Sequence, residues 1–367
     1  ARNAHKALLY AAALLDFDIR WLWPSAQAEG ALCSCPVTAE ALTGALHALA
    51  QQGIEPFGVY VTSPDYLGGV QDIPALAAVC RAQGVPLLVD NAHGAYLRFL
   101  PQNCHPIAQG AAMCCDSAHK TLPVVTGGAY LHLAHDAPVQ DEAAVRGALA
   151  LFGSTSPSYL ILQSLDACNA VLAGDYPRRL AQCCAALEGL RRSLNKAAAV
   201  RQCPVPLAVA GTQQEPMKLT LDAAALGCTG TALAESLRRA QMECEYADPR
   251  YVVLMFTPEN PPQDYTRLQT ALEQLLAAVP AGLPRPENRA GEFAALQQQA
   301  VQRCTIRQAV LGAQVRVPVH KALGRVCAMP TVSCPPAIPV AVSGEEITPA
   351  AIALMQRYGI EELSVLR

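Results

Sequence analysis

Two short apolar runs, each ending in an aspartate, constrain the fold of this 367-residue chain most strongly. Residues 87–89 lead into Asp90, and residues 112–115 lead into Asp116. Runs of this length and composition are typical of buried parallel strands. Because ligands of open α/β sheets gather at the carboxyl ends of such strands, the polar residues that follow both runs are expected at one edge of a sheet.

A regular alternation of helix and strand patterns surrounds these two runs. Thr38 is predicted to cap a helix that ends near Gln51, because apolar residues recur on one face of that segment. The patterns also predict strands at residues 57–61 and 129–133, helices at 72–83 and 142–151, and a long helix from Pro157 toward Leu190 that breaks near Pro177. The alternation predicts a mainly parallel sheet with crossover helices.

The second half of the chain has a different pattern of predicted strands and helices. Short strands at 218–221 and 251–256, with helices at 232–240 and 265–278, predict a smaller α/β domain. Prolines and glycines between 280 and 291 predict a linker. We therefore expect a large domain at 1–165, the small α/β domain at 166–280 and a carboxy-terminal domain at 291–367.

Composition favours a large buried core and a small-molecule partner. Hydrophobic residues make up 52% of the chain and charged residues 16%, and a net charge of −3 provides no basic field for nucleic acid or a membrane surface. No apolar run is long enough to span a bilayer. Fifteen cysteines, an odd number without a Cys-x-x-Cys pair, predict reduced thiols in the cytoplasm and no metal site.

The polar residues that follow the two runs match the requirements of pyridoxal phosphate. This cofactor needs an amine for covalent attachment, an anion for its pyridine nitrogen and donors for its phosphate. Lys120 offers the amine and Asp90 the anion, while Ser117 and His119 emerge beside the amine and His93 lies close to Asp90. An apolar neighbourhood would lower the pKa of Lys120 and favour a Schiff base. The alternative is a surface lysine that snorkels, which the neighbouring Asp90, Ser117 and His119 disfavour.

Several segments resemble the Orn/Lys/Arg decarboxylase family, whose members are fold type I, aminotransferase-like pyridoxal-phosphate enzymes. The matching segments are residues 2–6, 62–66, 90–96, 117–123 and 155–159, together with 334–339 and 343–345 near the end. The resemblance implies that Lys120 is the Schiff-base lysine and that Asp90 pairs with the pyridine nitrogen. It implies phosphate or ring contacts for Ser117 and His119, and stacking of His5 on the cofactor ring. Ser156 would reach the phosphate of a cofactor bound in the neighbouring subunit of a homodimer.

The chain also departs from the family pattern. Asn91 and Tyr96 stand where the family usually has glutamate and histidine, and Cys334 and Ala337 stand where tyrosine and glycine are usual. The cofactor residues are unaffected by these changes. The chain opens without the family's glycine-rich phosphate-binding turn, so we expect a fragment that lacks roughly the first hundred residues.

The resemblance implies decarboxylation of arginine, lysine or ornithine to the corresponding amine and carbon dioxide, a reaction of polyamine biosynthesis. His93 and His5 are candidate catalytic partners of Lys120. An aminotransferase or lyase could use the same Asp90 and Lys120, and a catalytically degenerate regulatory paralogue is a further alternative. Glu345, within a matching segment, is a weak candidate for substrate contact, whereas His132 is read as a satisfied structural residue.

Overall fold

A computed structural model describes residues 1–24, 32–154, 156–211, 213–280, 282–287, 290–330 and 339–367. Its first sheet contains, in spatial order, β1 (Val59–Thr62), β2 (Leu87–Asp90), β3 (Met113–Asp116) and β4 (Tyr130–Leu133). The first three strands are parallel, and β4 runs antiparallel to β3. Thr62 pairs with Asp90, and Asp90 pairs with Cys115, so the strand ends coincide. The prediction of a mainly parallel sheet is confirmed.

Seven helices lie in the same part of the chain as this sheet, among the described residues 1–200. They are α1 (Lys6–Leu15), α2 (Ala39–Gln51), α3 (Ile73–Ala82), α4 (Ala118–Thr121), α5 (Glu142–Phe152), α6 (Tyr159–Ala173) and α7 (Tyr176–Val200). Thr38 Oγ1 accepts a hydrogen bond from the Ala41 backbone at 3.2 Å, which confirms the predicted cap of α2. The predicted break falls between α6 and α7, where Pro177 occupies the first turn of the new helix. The helix after the break, α7, ends at Val200, ten residues beyond the predicted end near Leu190.

The following segment forms an antiparallel sheet. Its strands are β5 (Lys218–Asp222), β6 (Tyr246–Ala247) and β7 (Tyr251–Met255), with β7 in the centre, and its helices are α8 (Gly230–Arg239) and α9 (Pro262–Ala277). Leu187 and Leu194 of α7 share one apolar cluster with Leu219 of β5 and Leu272 of α9. The long helix thus covers one face of this smaller sheet.

The carboxy-terminal segment contains α10 (Ala290–Gln299), α11 (Ile306–Leu311), β8 (Gln314–Pro318), α12 (Pro349–Arg357) and β9 (Glu362–Leu366), with β8 and β9 antiparallel. Short 3-10 helices lie at Ala95–Phe99, Ala223–Leu226 and Val319–Lys321. Val365 of β9 and Leu354 of α12 belong to the same apolar cluster as Val61 and Val89 of the parallel sheet. The domain limits given above stay predictions, and the predicted signature at 334–338 lies outside the described residues. No helix in the described part is long and apolar enough to cross a membrane.

A buried ion pair joins the two ends of the described chain. Arg2, which is fully buried, donates from Nη1 and Nη2 to the two carboxylate oxygens of Glu345 at 2.6 and 2.7 Å. Its guanidinium also lies 4.3 Å from the ring centre of Trp23, and the Val342 backbone donates to Glu345 Oε2 at 3.0 Å. Both oxygens of Glu345 therefore accept internal hydrogen bonds, which favours a structural role for this residue over contact with substrate.

Replacement of Glu345 by alanine is expected to lower the free energy of unfolding by about 3–5 kcal/mol, because the Arg2 guanidinium would stay buried without a counter-charge. Urea unfolding measures this loss. Glu362→Ala is the matched control, because its pair with Arg316 is 3.0 Å long but both side chains are largely exposed, and it should cost less than about 1 kcal/mol. Equal losses in the two variants would contradict the assignment.

Candidate functional site

Asp90 ends β2 with its carboxylate held in a defined orientation. Asp90 is buried. Tyr60 Oη donates to its Oδ2 at 3.0 Å, and the Ala92 backbone N–H donates to its Oδ1 at 3.1 Å. Burial and then the charge of Asp90 hold the pKa of Tyr60 well above its usual range, so the phenol stays protonated and acts as the donor. A fixed negative charge therefore stands at the carboxyl edge of the sheet.

Lys120 and His93 meet next to this carboxylate. Lys120 lies in α4, directly after β3, and its Nζ is 3.2 Å from His93 Nε2. Burial lowers the pKa of Lys120, while the charges of Asp90 and Glu245 oppose that shift. Burial, followed by the ammonium groups of Lys218 and Lys120, holds the pKa of His93 well below its usual range. A neutral His93 that accepts from Lys120 carries its proton on Nδ1, a buried atom with no hydrogen-bond partner among the described residues.

Three further predicted residues lie around this pair. His5 precedes α1, and its Nδ1 accepts from the Ala7 backbone at 3.2 Å. Burial lowers the pKa of His5, the charge of Asp90 opposes that shift, and the charge of Lys120 adds to it. Ser117 begins α4 without a side-chain hydrogen bond to that helix. His119 Nδ1 lies 2.9 Å from the Gly128 carbonyl oxygen, so Nε2 is the ring nitrogen that does not take part in this contact. The cofactor contacts of these residues stay predictions.

Ser156 is the predicted residue that the structure leaves apart. It lies in the exposed connection between α5 and α6, where its backbone N–H donates to Ser154 Oγ at 3.1 Å. Within the described chain its side chain has no hydrogen bond to another predicted site residue. Thr155, which belongs to the same motif, lies outside the described residues. The expected contact of Ser156 with a neighbouring subunit's phosphate stays a prediction.

Three site residues were not found from the sequence. The ring of Tyr66 lies 4.9 Å from that of His93, edge to face, and its hydroxyl donates to Glu245 Oε1. Lys218 Nζ lies 5.3 Å from the centre of the Tyr66 ring and donates to the Asp65 carbonyl oxygen at 2.7 Å. Tyr66 falls in a motif that the family resemblance marks, and Lys218 is a charged residue in a strand whose residues are all buried. These two signals could have identified them, whereas Glu245 carries no local signal.

Asp116, the second strand-ending aspartate, serves a different cluster. Its Oδ2 lies 3.1 Å from His105 Nε2 and 3.0 Å from His132 Nε2, and its Oδ1 accepts from Asn91 Nδ2 at 2.7 Å. Burial would raise the pKa of Asp116, but the hydrogen bonds from both histidines outweigh it and hold the pKa below its usual range. Glutamate in place of Asn91 would put a second carboxylate against Asp116, so asparagine is the residue that fits here.

The ligand atoms of His105, Asp116 and His132 lie within 4.8 Å of one another, a spacing that could accommodate a metal ion. The hydrogen bonds favour a different interpretation. His105 Nδ1 accepts from the Ile107 backbone N–H at 3.3 Å, so its proton is on Nε2 and points at Asp116. A metal-bound Nε2 requires the opposite tautomer. The geometry is that of a hydrogen-bonded carboxylate.

The chain is similar to proteins of known family. Residues 1–263 match the family model described as Orn/Lys/Arg decarboxylase, major domain. Arginine decarboxylase of Bacillus subtilis (strain 168) is 27% identical over 354 residues, which cover 95% of this chain and 70% of that relative. Arginine decarboxylase of Bacillus anthracis is 25% identical over 359 residues, which cover 95% of this chain and 69% of that relative.

Solved structures of lysine decarboxylases have a similar fold. The constitutive lysine decarboxylase of E. coli superposes with a TM-score of 0.73 at 18% identity, and the match covers 100% of this chain and 66% of that one. The lysine decarboxylase LdcF of Francisella novicida gives a TM-score of 0.76 at 18% identity, covering 100% and 65%. The chain thus spans about two thirds of these structures. At this identity the likeness shows the fold alone.

Proposed function

Because this chain belongs to the Orn/Lys/Arg decarboxylase family and has the fold type I architecture, we propose that it is a pyridoxal-phosphate-dependent decarboxylase of a basic amino acid. The resemblance and the fold class predicted from the motifs are confirmed by these likenesses. The observation that carries the proposed activity is the contact of Lys120 with His93 at 3.2 Å, beside the anchored Asp90 carboxylate.

The residues present fit the cofactor. Lys120 would hold it covalently, because burial increases the share of neutral amine available for attack on a carbonyl carbon. Asp90 would hold the protonated pyridine nitrogen, since both of its oxygens are already oriented by donors. The buried Nδ1 of His93 is a donor that still lacks an acceptor in the described part of the chain. When bound, pyridoxal phosphate supplies an electron sink for the pair of electrons left on Cα.

Proton movement is assigned to Lys120 and His93. The neutral His93 Nε2 accepts a proton from Lys120 Nζ across the 3.2 Å contact, so the pair can hold one proton in either place. Lys120 Nζ would then return a proton to Cα after the carboxylate has left. Burial, followed by the charge of Lys218, lowers the pKa of His93 and disfavours a positive charge on its ring, which favours proton return to Lys120.

We further propose that the protein is a cytoplasmic homodimer. Apolar side chains on α5 and α6 are unusually exposed, which is typical of an interface: Leu151 is 78% exposed, Tyr159 85% and Leu160 72%. Ser156 lies within this surface, so a second copy seated there could bring it to a neighbouring site. Buried reduced thiols, such as Cys33 and Cys183, favour a reducing compartment.

The test is to load the protein with pyridoxal phosphate and to supply arginine, lysine and ornithine in parallel. Release of carbon dioxide with the corresponding amine supports the proposal. Formation of a keto acid would instead show that the protein is an aminotransferase. Visible cofactor absorbance without turnover of any of the three amino acids would favour the regulatory paralogue.

A further inference from the structure

One carboxylate at this site has no role in holding the cofactor. Glu245 lies just before β6, in the antiparallel sheet, and its side chain is exposed. Tyr66 Oη donates to its Oε1, and the Tyr66 ring contacts the His93 ring at 4.9 Å. His93 in turn contacts Lys120. The rings of His93 and Tyr66 therefore lie between the Lys120 amine and the oriented Glu245 carboxylate.

We propose that Glu245, oriented by Tyr66, recognises the distal cation of the basic amino-acid substrate. This proposal rests on the proposed function, because it assumes that the substrate's α-amine reacts near Lys120. An extended lysine or arginine side chain can bridge the width of two rings. The hydrogen bond from Tyr66, whose ring lies 4.9 Å from that of His93, places Glu245 at this site. Its negative charge also opposes the lowering of the pKa of Lys120 and of Lys218 by burial.

The other carboxylates near Lys120 and Lys218 have different roles or internal partners. Asp90, which Tyr60 and Ala92 orient, is assigned to the pyridine nitrogen of the cofactor. Glu215 is buried, and its Oε2 accepts from the Tyr96 hydroxyl and from the Met217 backbone at 2.6 Å.

Asp65 is likewise buried, and its Oδ1 accepts from Gly69 at 2.8 Å. Burial raises the pKa of Asp65 to about 6. Oε2 of Glu245, by contrast, has no hydrogen bond within the described residues, and the side chain is exposed to an incoming cation.

Selectivity for a basic side chain follows from this arrangement. A neutral side chain of the same length would leave the Glu245 carboxylate without a counter-charge while displacing its water, whereas a distal ammonium or guanidinium would replace that water with an ion pair. The Tyr66 hydroxyl restricts the carboxylate to one orientation, which reduces the ordering cost on binding. Tyr66 is thus a positioning residue.

The test compares Glu245→Gln with Glu243→Gln in the cofactor-loaded protein. Glu243 is a matched control, because it is exposed, lies two residues upstream and pairs with Arg238 at 3.0 Å. Isothermal titration uses two probes, cadaverine and pentylamine, which differ only in the distal amine. In Glu245→Gln the affinity for cadaverine, and kcat/KM for the preferred amino acid, should fall roughly 10- to 100-fold, with pentylamine affinity unchanged.

Glu243→Gln should match the wild type in every measurement. Tyr66→Phe should weaken cadaverine binding less than Glu245→Gln does, with the change in KM rather than in kcat. Equal cadaverine affinity in wild type and Glu245→Gln, parallel losses for both amines, or a wild type that binds neither amine would overturn the proposal.

The two proposals fail in different ways. If the wild type binds cadaverine through Glu245 but releases no carbon dioxide from any basic amino acid, decarboxylation is wrong and the cation site stands. If wild type and Glu245→Gln release carbon dioxide at equal rates and equal KM, the cation site is wrong and decarboxylation stands.

Discussion

Replacement of Lys120 by alanine will remove the visible absorbance of bound cofactor and reduce carbon dioxide release by roughly 10⁴-fold or more, the scale expected when a covalent nucleophile is lost. The reason lies in the position of this amine. Its pKa is lowered by burial, and it is the group that His93 contacts at 3.2 Å. No other described lysine combines these two features, because Lys218 Nζ is bound to the Asp65 carbonyl oxygen. Absorbance spectroscopy and carbon dioxide release measure the two effects independently.

Two controls isolate the role of the Lys120 amine. Lys321→Ala removes an exposed lysine of the carboxy-terminal segment and should leave absorbance and turnover unchanged. Lys120→Arg keeps a positive charge beside His93 but cannot form the covalent bond, so it should resemble the alanine variant in both measurements. Retention of covalently bound cofactor in Lys120→Ala would show that the attachment point is elsewhere.

The edge of the parallel sheet was predictable because its residues are contiguous with their strands. Asp90 directly follows three apolar residues, and Lys120 lies four residues after Asp116, so the strand ends alone placed both groups at one edge. The cap at Thr38 and the break before Pro177 were predictable for a similar reason, since a cap and a proline act within one helical turn. Local chemistry was sufficient for each of these features.

The remainder of the site depends on long-range packing. Glu245 meets Tyr66 across 179 positions of the chain, and Arg2 meets Glu345 across 343. The periodicity of a window of ten to twenty residues cannot predict contacts between residues so far apart in the chain. These contacts depend on how the smaller sheet and the carboxy-terminal segment pack on the first sheet. The direction of a strand-end side chain is also set by packing. Asp90 accepts from Tyr60 and Ala92 and its charge acts on Lys120, whereas Asp116, at the end of the next strand, contacts His105 and His132.

Asp90→Asn is the second change expected to have a large effect on activity. The amide has the shape of the carboxylate, so its oxygen can still accept from the Ala92 backbone, and the Tyr60 hydroxyl can rotate to accept from its nitrogen. The fixed negative charge is lost, and with it the group proposed to keep the pyridine nitrogen protonated. We expect kcat to fall about 10²- to 10³-fold, the scale for removal of one electrostatic stabiliser, with little change in KM.

Steady-state kinetics, cofactor absorbance and thermal unfolding together test this expectation. Asp136→Asn, in the exposed turn after β4, removes an equal charge from a solvent-exposed position and should leave kcat unchanged. Retained absorbance with reduced kcat would separate Asp90 from Lys120, because attachment needs only the amine while carbon dioxide loss needs the electron sink. A normal kcat in Asp90→Asn, with the cofactor bound, would mean that catalysis does not depend on the Asp90 charge, and the assignment of Asp90 to the pyridine nitrogen would be wrong.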